Sequence, residues 1–170
     1  MPRYIALLRA VNVGGAGKLA MSDLRAICRE TGFRRVETYI ASGNVVFETD
    51  VDPATAKRDL EAGLRDFAGK PLSVVLRTAD ELHDVLDGNP FPNAPANFTF
   101  AIFLDAAPPV DALAQAVGRA DEEVRLGARE VYIHYPAGMG RSKLKIPAAK
   151  HGTARNMNTI AKLVEMARGS

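Results

Sequence analysis

A glycine-rich run stands where a phosphate could be held. Gly15-Ala16-Gly17-Lys18-Leu19-Ala20 follows an apolar stretch and matches the spacing G-x-G-x-x-[GA]. In a dinucleotide site the third small residue lies inside a helix that opens on the glycines. Here Ser22 reads as the helix cap, so the helix begins too late. The next strand also enters a hairpin and not a second crossover. Gly17-Lys18 is followed by Leu19, where a Walker loop needs Ser or Thr. What survives is a nest of backbone amides around Gly14 and Gly15, with Lys18 beside it, suited to an anion. The same residues also read as a plain turn.

Two further clusters lie near the C-terminus. Ser142-Lys143-Leu144-Lys145 is a literal S-x-x-K, but the S-D-N and K-T-G elements that accompany it in serine acylation are missing. In Thr153-Ala154-Arg155-Asn156-Met157-Asn158-Thr159, polar donors gather where a last helix should begin. Free amides at a helix start favour anions, and Arg155 adds a two-pronged donor for phosphate or carboxylate. The bland alternative is that Thr153 or Asn156 only caps the helix. The one cysteine, Cys28, lies on an apolar stripe and reads as a core thiol. His134 alternates with apolar residues on a strand and reads as structural. His151 is the histidine nearest the basic segment. No spacing suggests a metal, and no cofactor is expected.

Charge sharpens the pattern. Net charge is +2, yet residues 1–49 carry +3, residues 50–135 carry −7 and residues 136–170 carry +6. Two basic ends flank an acidic middle, which points to an anionic partner if the ends meet. Apolar content of 47% and charged content of 25% are those of a globular chain. One cysteine excludes a disulfide framework. The start lacks a signal-peptide layout and no apolar run spans a membrane, so a cytoplasmic protein is expected. The Asn97-Phe98-Thr99 sequon is then a chance match.

These clusters need elements to position them. Residues 4–13 read as a buried strand. Leu24, Ile27 and Cys28 recur at helical spacing. Residues 34–40 and 45–48 flank the turn Ala41-Ser42-Gly43-Asn44 as a hairpin. Asp52-Pro53 opens a helix with the stripe Ala56, Leu60, Leu64 and Phe67. Residues 72–77 make a fourth strand, completing βαββαβ. Thr78-x-x-Glu81 is a capping box for a short helix. The pattern then restarts: a strand over 98–104, a helix after Pro108-Pro109 carrying Val110, Leu113, Ala114 and Val117, a hairpin around Gly127, the basic segment, and a helix from about Asn156. The expected class is α+β, two tandem ferredoxin-like halves with antiparallel sheets. The expected domains are 1–88, a connector 89–97, and 98–170.

Several segments together resemble one bacterial family, domain of unknown function 1697. They are Tyr4-Ile5-Ala6-Leu7-Leu8-Arg9, Asn12-Val13-Gly14-Gly15, Thr38-Tyr39-Ile40-x-Ser42-Gly43-Asn44-Val45, Asn89-Pro90-Phe91, Ser142-Lys143-Leu144 and Thr153-x-Arg155-Asn156-x-Asn158-Thr159. The chain departs from the family's Arg-Gly-Ile-Asn at Arg9-Ala10-Val11-Asn12, and has Met157 where Trp is common. The resemblance implies a tandem ferredoxin-like fold and no particular activity.

In such a sheet the strand order is 4-1-3-2, so the end of strand 1 lies beside the start of strand 3. That brings Asn12 and the glycine loop to Ser42-Gly43-Asn44. With the basic segment packed across this edge, Arg9, Asn12, Lys18, Ser42, Asn44, Ser142, Lys143, Lys145, Arg155, Asn156 and Asn158 would line one positive cleft. Donors in excess of acceptors suit a phosphate-bearing ligand, either a nucleotide or a nucleic-acid backbone. The alternatives are an enzyme on a phosphorylated or carboxylated small molecule, with Lys143, Lys145 or His151 as acid or base, and a protein-interaction module. Oligomeric state is left open.

Overall fold

The structure, a computed structural model, describes residues 2–9, 19–39 and 43–168. The glycine loop with Asn12 and Lys18, and Ser42 of the hairpin turn, lie outside the described residues. The chain divides into two compact units, Met1–Leu82 with Leu163–Ser170, and His83–Lys162. Among the described residues there are eight strands in two four-stranded antiparallel sheets, and four α-helices.

The first sheet holds β1 (Arg3–Leu8), β2 (Arg34–Tyr39), β3 (Asn44–Glu48) and β4 (Val74–Thr78) in the order β2-β3-β1-β4. β1 is central and apolar on both faces. Tyr4, Ala6 and Leu8 join Val45, Phe47 and Val74 in one core cluster, while Ile5 and Leu7 point the other way and are equally buried. That explains the unbroken apolar run, since a strand covered on both sides has no need to alternate. Helix α1 (Met21–Glu30) adds Leu24, Ile27 and Cys28 to the core, and α2 (Pro53–Ala68) adds Ala56, Leu60 and Leu64.

Caps decide where these helices begin. Asp52 accepts from Thr55 N at 3.2 Å, with Pro53 at the first helical position, as its sequence pattern predicts. The capping box is present: Thr78 N donates to Glu81 Oε1 at 2.9 Å and Glu81 N to Thr78 Oγ1 at 3.1 Å, opening α3 (Ala79–Asp87). Ser22 is not the cap of α1. The cap is Ala20, whose carbonyl accepts from Leu24 N at 3.0 Å, and Ser22 is exposed in the first turn. Phe67 also leaves its expected place, being 50% exposed. The 16 residues of α2 extend about 24 Å, against about 20 Å for a six-residue strand. The last turn, with Phe67, does not join the core cluster that Leu64 belongs to.

The second sheet holds β5 (Thr99–Phe103), β6 (Glu123–Leu126), β7 (Glu130–His134) and β8 (Thr153–Asn156) in the order β6-β7-β5-β8. This repeats the first order with each number raised by four. Helix α4 (Met157–Arg168) follows β8 as α3 follows β4. The α-helix expected after Pro108-Pro109 does not form. A single 3₁₀ turn, Ala112–Gln115, stands there, with Val110 98% and Val117 59% exposed. A ten-residue helix is marginal without packing, and only Ala112 of this segment is buried. β8 was not legible as a strand, because its four residues TARN carry polar groups that read as a helix start.

Helix α4 ends in the first unit. Arg3 donates to the carbonyls of Met166 (3.1 Å) and Ala167 (3.2 Å) while its Nε meets Glu48 Oε1 at 2.9 Å. A cation on the last free carbonyls of a helix satisfies them and complements the helix dipole. Among the described residues no helix is long and apolar enough to cross a membrane.

Candidate functional site: a basic strap on the second sheet

The chain between β7 and β8 carries the basic run. Two 3₁₀ turns, Met139–Arg141 and Pro147–Ala149, bracket an extended stretch. Along it exposure alternates: Arg141, Lys143 and Lys145 are exposed, Ser142 and Leu144 are half-buried, and Ile146 is buried. Alternate residues of an extended chain lie roughly 6.6 Å apart on one side. Three cations thus form a row facing solvent.

The inner side is tied down at three levels. Val117 N donates to Lys145 O at 2.9 Å and Lys145 N to Val117 O at 2.8 Å, an isolated bridge. Gly118, at φ +73°, lets the backbone pass directly against Lys143 O. Glu122, only 5% exposed, accepts from Ser142 Oγ at 2.5 Å and from Ala120 N at 2.6 Å. Ser142 Oγ in turn accepts from Leu144 N at 3.1 Å.

These bonds favour the ionised carboxylate. The Ser142 hydroxyl first, then the Ala120 amide, hold Glu122 below the usual carboxylate range. With Glu122 also holding the Ala120 amide and Ser142 Oγ holding the Leu144 amide, the pair is a loop tie. A carboxylate whose folded pKa is depressed stabilises the fold above its unfolded pKa, and that stability fades as pH falls through the folded value. The strap should therefore loosen in acid below about pH 4.5, the ordinary carboxylate pKa. Amide hydrogen exchange across residues 139–146 checks this. Glu122→Gln should flatten the acid response, and an unchanged profile in the variant would contradict the tie.

Other nominated residues have structural duties. Asn156 is the cap of α4, its Oδ1 accepting from Thr159 N at 2.9 Å, and Asn158 is exposed in the first turn of the helix. Arg155 is 6% exposed, donating to Thr153 Oγ1 at 2.7 Å and Ala154 O at 3.0 Å, and burial lowers its pKa to about 10. It has a counterpart. Arg77 on β4 is 2% exposed and donates to Leu76 O at 3.1 Å. β1 pairs Ile5 with Arg77 as β5 pairs Ala101 with Arg155, and a capped helix starts two residues later in both. The repeat Leu76-Arg77-Thr78-x-x-Glu81-Leu82 and Ala154-Arg155-Asn156-x-x-Thr159-Ile160 is thus visible in the sequence once the strands are aligned.

In the first unit, Leu8 N donates to Gly43 O at 2.9 Å and Leu7 pairs with Asn44. The end of β1 lies beside the start of β3, as the expected strand order requires. Asn44 is fully buried and its Nδ2 donates to Tyr39 O at 2.9 Å, which shapes the hairpin. Arg9 is half-buried, with Nη1 3.3 Å from Ser73 Oγ.

Lys143, Lys145 and His151 are exposed, so the burial that would turn a lysine into an acid–base group is missing. Cys28 is fully buried, and burial raises its pKa to about 12, the mark of a core thiol. His134 sits within 3.3 Å of the Phe98 carbonyl, a structural contact. No cluster of three or more His, Cys, Asp or Glu among the described residues could hold a metal. Glu122 and Gly118 escaped the sequence reading. Glu122 stands in the run Asp121-Glu122-Glu123, which looks like a solvated acidic face.

A family model described as protein of unknown function (DUF1697) matches residues 1–132. The chain belongs to the DUF1697 family. The basic strap of this DUF1697 protein lies beyond the matched residues. A solved structure titled as that of a conserved bacterial protein from Streptococcus pneumoniae is similar, with a TM-score of 0.81 and 26% sequence identity. The likeness covers 98% of this chain and 99% of that one. A search of curated proteins gives no match.

Proposed function

We propose that this protein binds a phosphate-bearing anion, with a nucleic-acid backbone fitting best. The observation that carries the reading is the row Arg141, Lys143 and Lys145, all exposed on one side of a strap whose inner side is anchored. A single nucleotide meets one or two such cations, while a backbone with repeated phosphates meets all three. Residues 136–156 hold five basic side chains and no acid, and of the neighbouring Asp121 and Glu122 the latter is turned to Ser142 and Ala120. Aromatic residues make up 6% of the chain and there is no tryptophan, which favours contact with the backbone over stacking on bases. Arg9, Asn12, Gly14, Gly15 and Lys18 are proposed as further contacts for the same class of ligand, with the buried Asn44 shaping the hairpin beside them.

The fold reading that goes with this is a pair of ferredoxin-like halves, 1–88 and 98–170, the second with its crossover helices reduced to 3₁₀ turns. The shared strand order supports it. A bacterial, cytoplasmic setting suits it too.

Fluorescence anisotropy of a labelled oligonucleotide across a salt series tests the function. Three phosphate contacts predict a slope of about −2 to −3 in log affinity against log salt. Reversing all three charges (Arg141→Glu, Lys143→Glu, Lys145→Glu) should abolish binding. Binding that survives the reversal, or none at low salt in the natural protein, would defeat the proposal.

A further inference from the structure

The first sheet has two helices, α1 and α2, over the face of Tyr4, Ala6 and Leu8. The matching face of the second sheet is that of Phe100, Ile102 and Leu104. No α-helix stands between the strands there. The connections are the 3₁₀ turns Ala112–Gln115, Met139–Arg141 and Pro147–Ala149. Three short turns cover less apolar surface than two helices. A cavity of about 590 Å³ is left between the sheet and the strap.

Its walls are chemically simple. Ile102 faces it from the sheet and Leu144 from the strap, both half-buried, with the buried Ile133 and Ile146 at its floor. Lys145 and Lys150 stand at its rim, both exposed, and the described lining carries no carboxylate. Ligand sites are typically concave, mostly apolar, of roughly 300–1,000 Å³, with a few polar groups that fix orientation. An apolar ligand alone would leave the Lys150 ammonium without a role, and a cationic one would be repelled by both lysines.

We propose that this cavity binds a small amphipathic anion, a medium-length alkyl chain bearing a carboxylate. The chain lies against Ile102 and Leu144, over the buried Ile133 and Ile146, and the carboxylate meets Lys145 and Lys150. This site lies on the inner side of the strap and is distinct from the outward row, with which it shares only Lys145. Ligand seated here would fill the face that helices cover in the first unit.

Calorimetric titration of the full chain with dodecanoate, kept below its micelle concentration, tests the proposal. Binding should show a negative heat-capacity change, the mark of apolar burial. Dodecyltrimethylammonium should bind at least tenfold more weakly, and dodecanol should fall between the two. Lys150→Glu, at an exposed position, should weaken dodecanoate about tenfold and leave dodecanol unchanged. Val117, 59% exposed, borders the cavity. Val117→Trp should fill its mouth and abolish binding of all three probes while oligonucleotide binding persists. Should Val117→Trp melt early, the Lys150→Glu comparison decides alone. Equal affinity for the anionic and cationic probes would overturn the proposal, as would no binding at all. Loss of oligonucleotide binding in the double variant Arg141→Glu, Lys143→Glu, with dodecanoate uptake by that same variant intact, would separate the two sites.

Discussion

Gly118→Ala should destabilise the protein by roughly 2–4 kcal/mol, combining backbone strain with overpacking. The added methyl would stand 2.1 Å from Lys143 O and 2.8 Å from Lys143 C. Those are backbone atoms of the strap, so no side-chain rotation relieves the clash. The φ of +73° adds a conformation that residues with a Cβ rarely adopt. Relief requires the strap to lift, which breaks the Val117–Lys145 bridge and pulls Ser142 from Glu122. Urea unfolding gives the stability change, and proteolysis between residues 136 and 150 should quicken by at least tenfold. A variant as stable as the natural protein, with a protected strap, would show that the close approach is not needed.

Phe47→Ala should cost about 3–5 kcal/mol, the range for removing a buried aromatic ring. Phe47 is fully buried on β3. Its ring stacks on Phe33 with centroids 4.1 Å apart and planes 4° from parallel, and meets Tyr4 at 6.0 Å. Removing it opens a void bordered by both sheet and helices, which a rigid strand between two neighbours cannot close. With domain stabilities of about 5–15 kcal/mol, such a loss threatens folding at 37 °C. Phe67→Ala is the control. Periodicity puts Phe67 on the same core stripe as Leu64, yet it is 50% exposed, so its loss should cost only about 1 kcal/mol, half of what full burial of the ring is worth. Thermal melts of the two variants side by side check both. Equal effects would mean that the last turn of α2 is packed as tightly as the core.

The halves differ in how far they could be read, and the reason is local consistency. In the first unit, propensity, caps and apolar period agree. Asp52-Pro53 and Thr78-x-x-Glu81 open helices where their side chains can satisfy free amides, and Leu24, Ile27, Leu60 and Leu64 face one core. In the second unit they conflict. Val110 and Val117 keep a helical period, but the segment closes only a single 3₁₀ turn and both stay exposed. The polar run TARN hides an edge strand, because Arg155 and Thr153 are buried by bonding each other and not by being apolar. For the candidate site, the basic segment 141–150 stood out by composition alone. The acid that holds it, Glu122, is twenty positions away from Ser142 in a run of like charges, and nothing in that run distinguishes it.

The sequence by itself determined the helices of the first unit and the uneven distribution of charge, because caps, period and charge are properties of neighbouring residues. Tertiary structure alone decided which residues of the basic segment face solvent. It also decided that the second sheet keeps an apolar cavity and that Gly118 must remain glycine. Each of these depends on two stretches of chain coming within a few ångströms, and the packing that brings them there is settled only when the whole core closes.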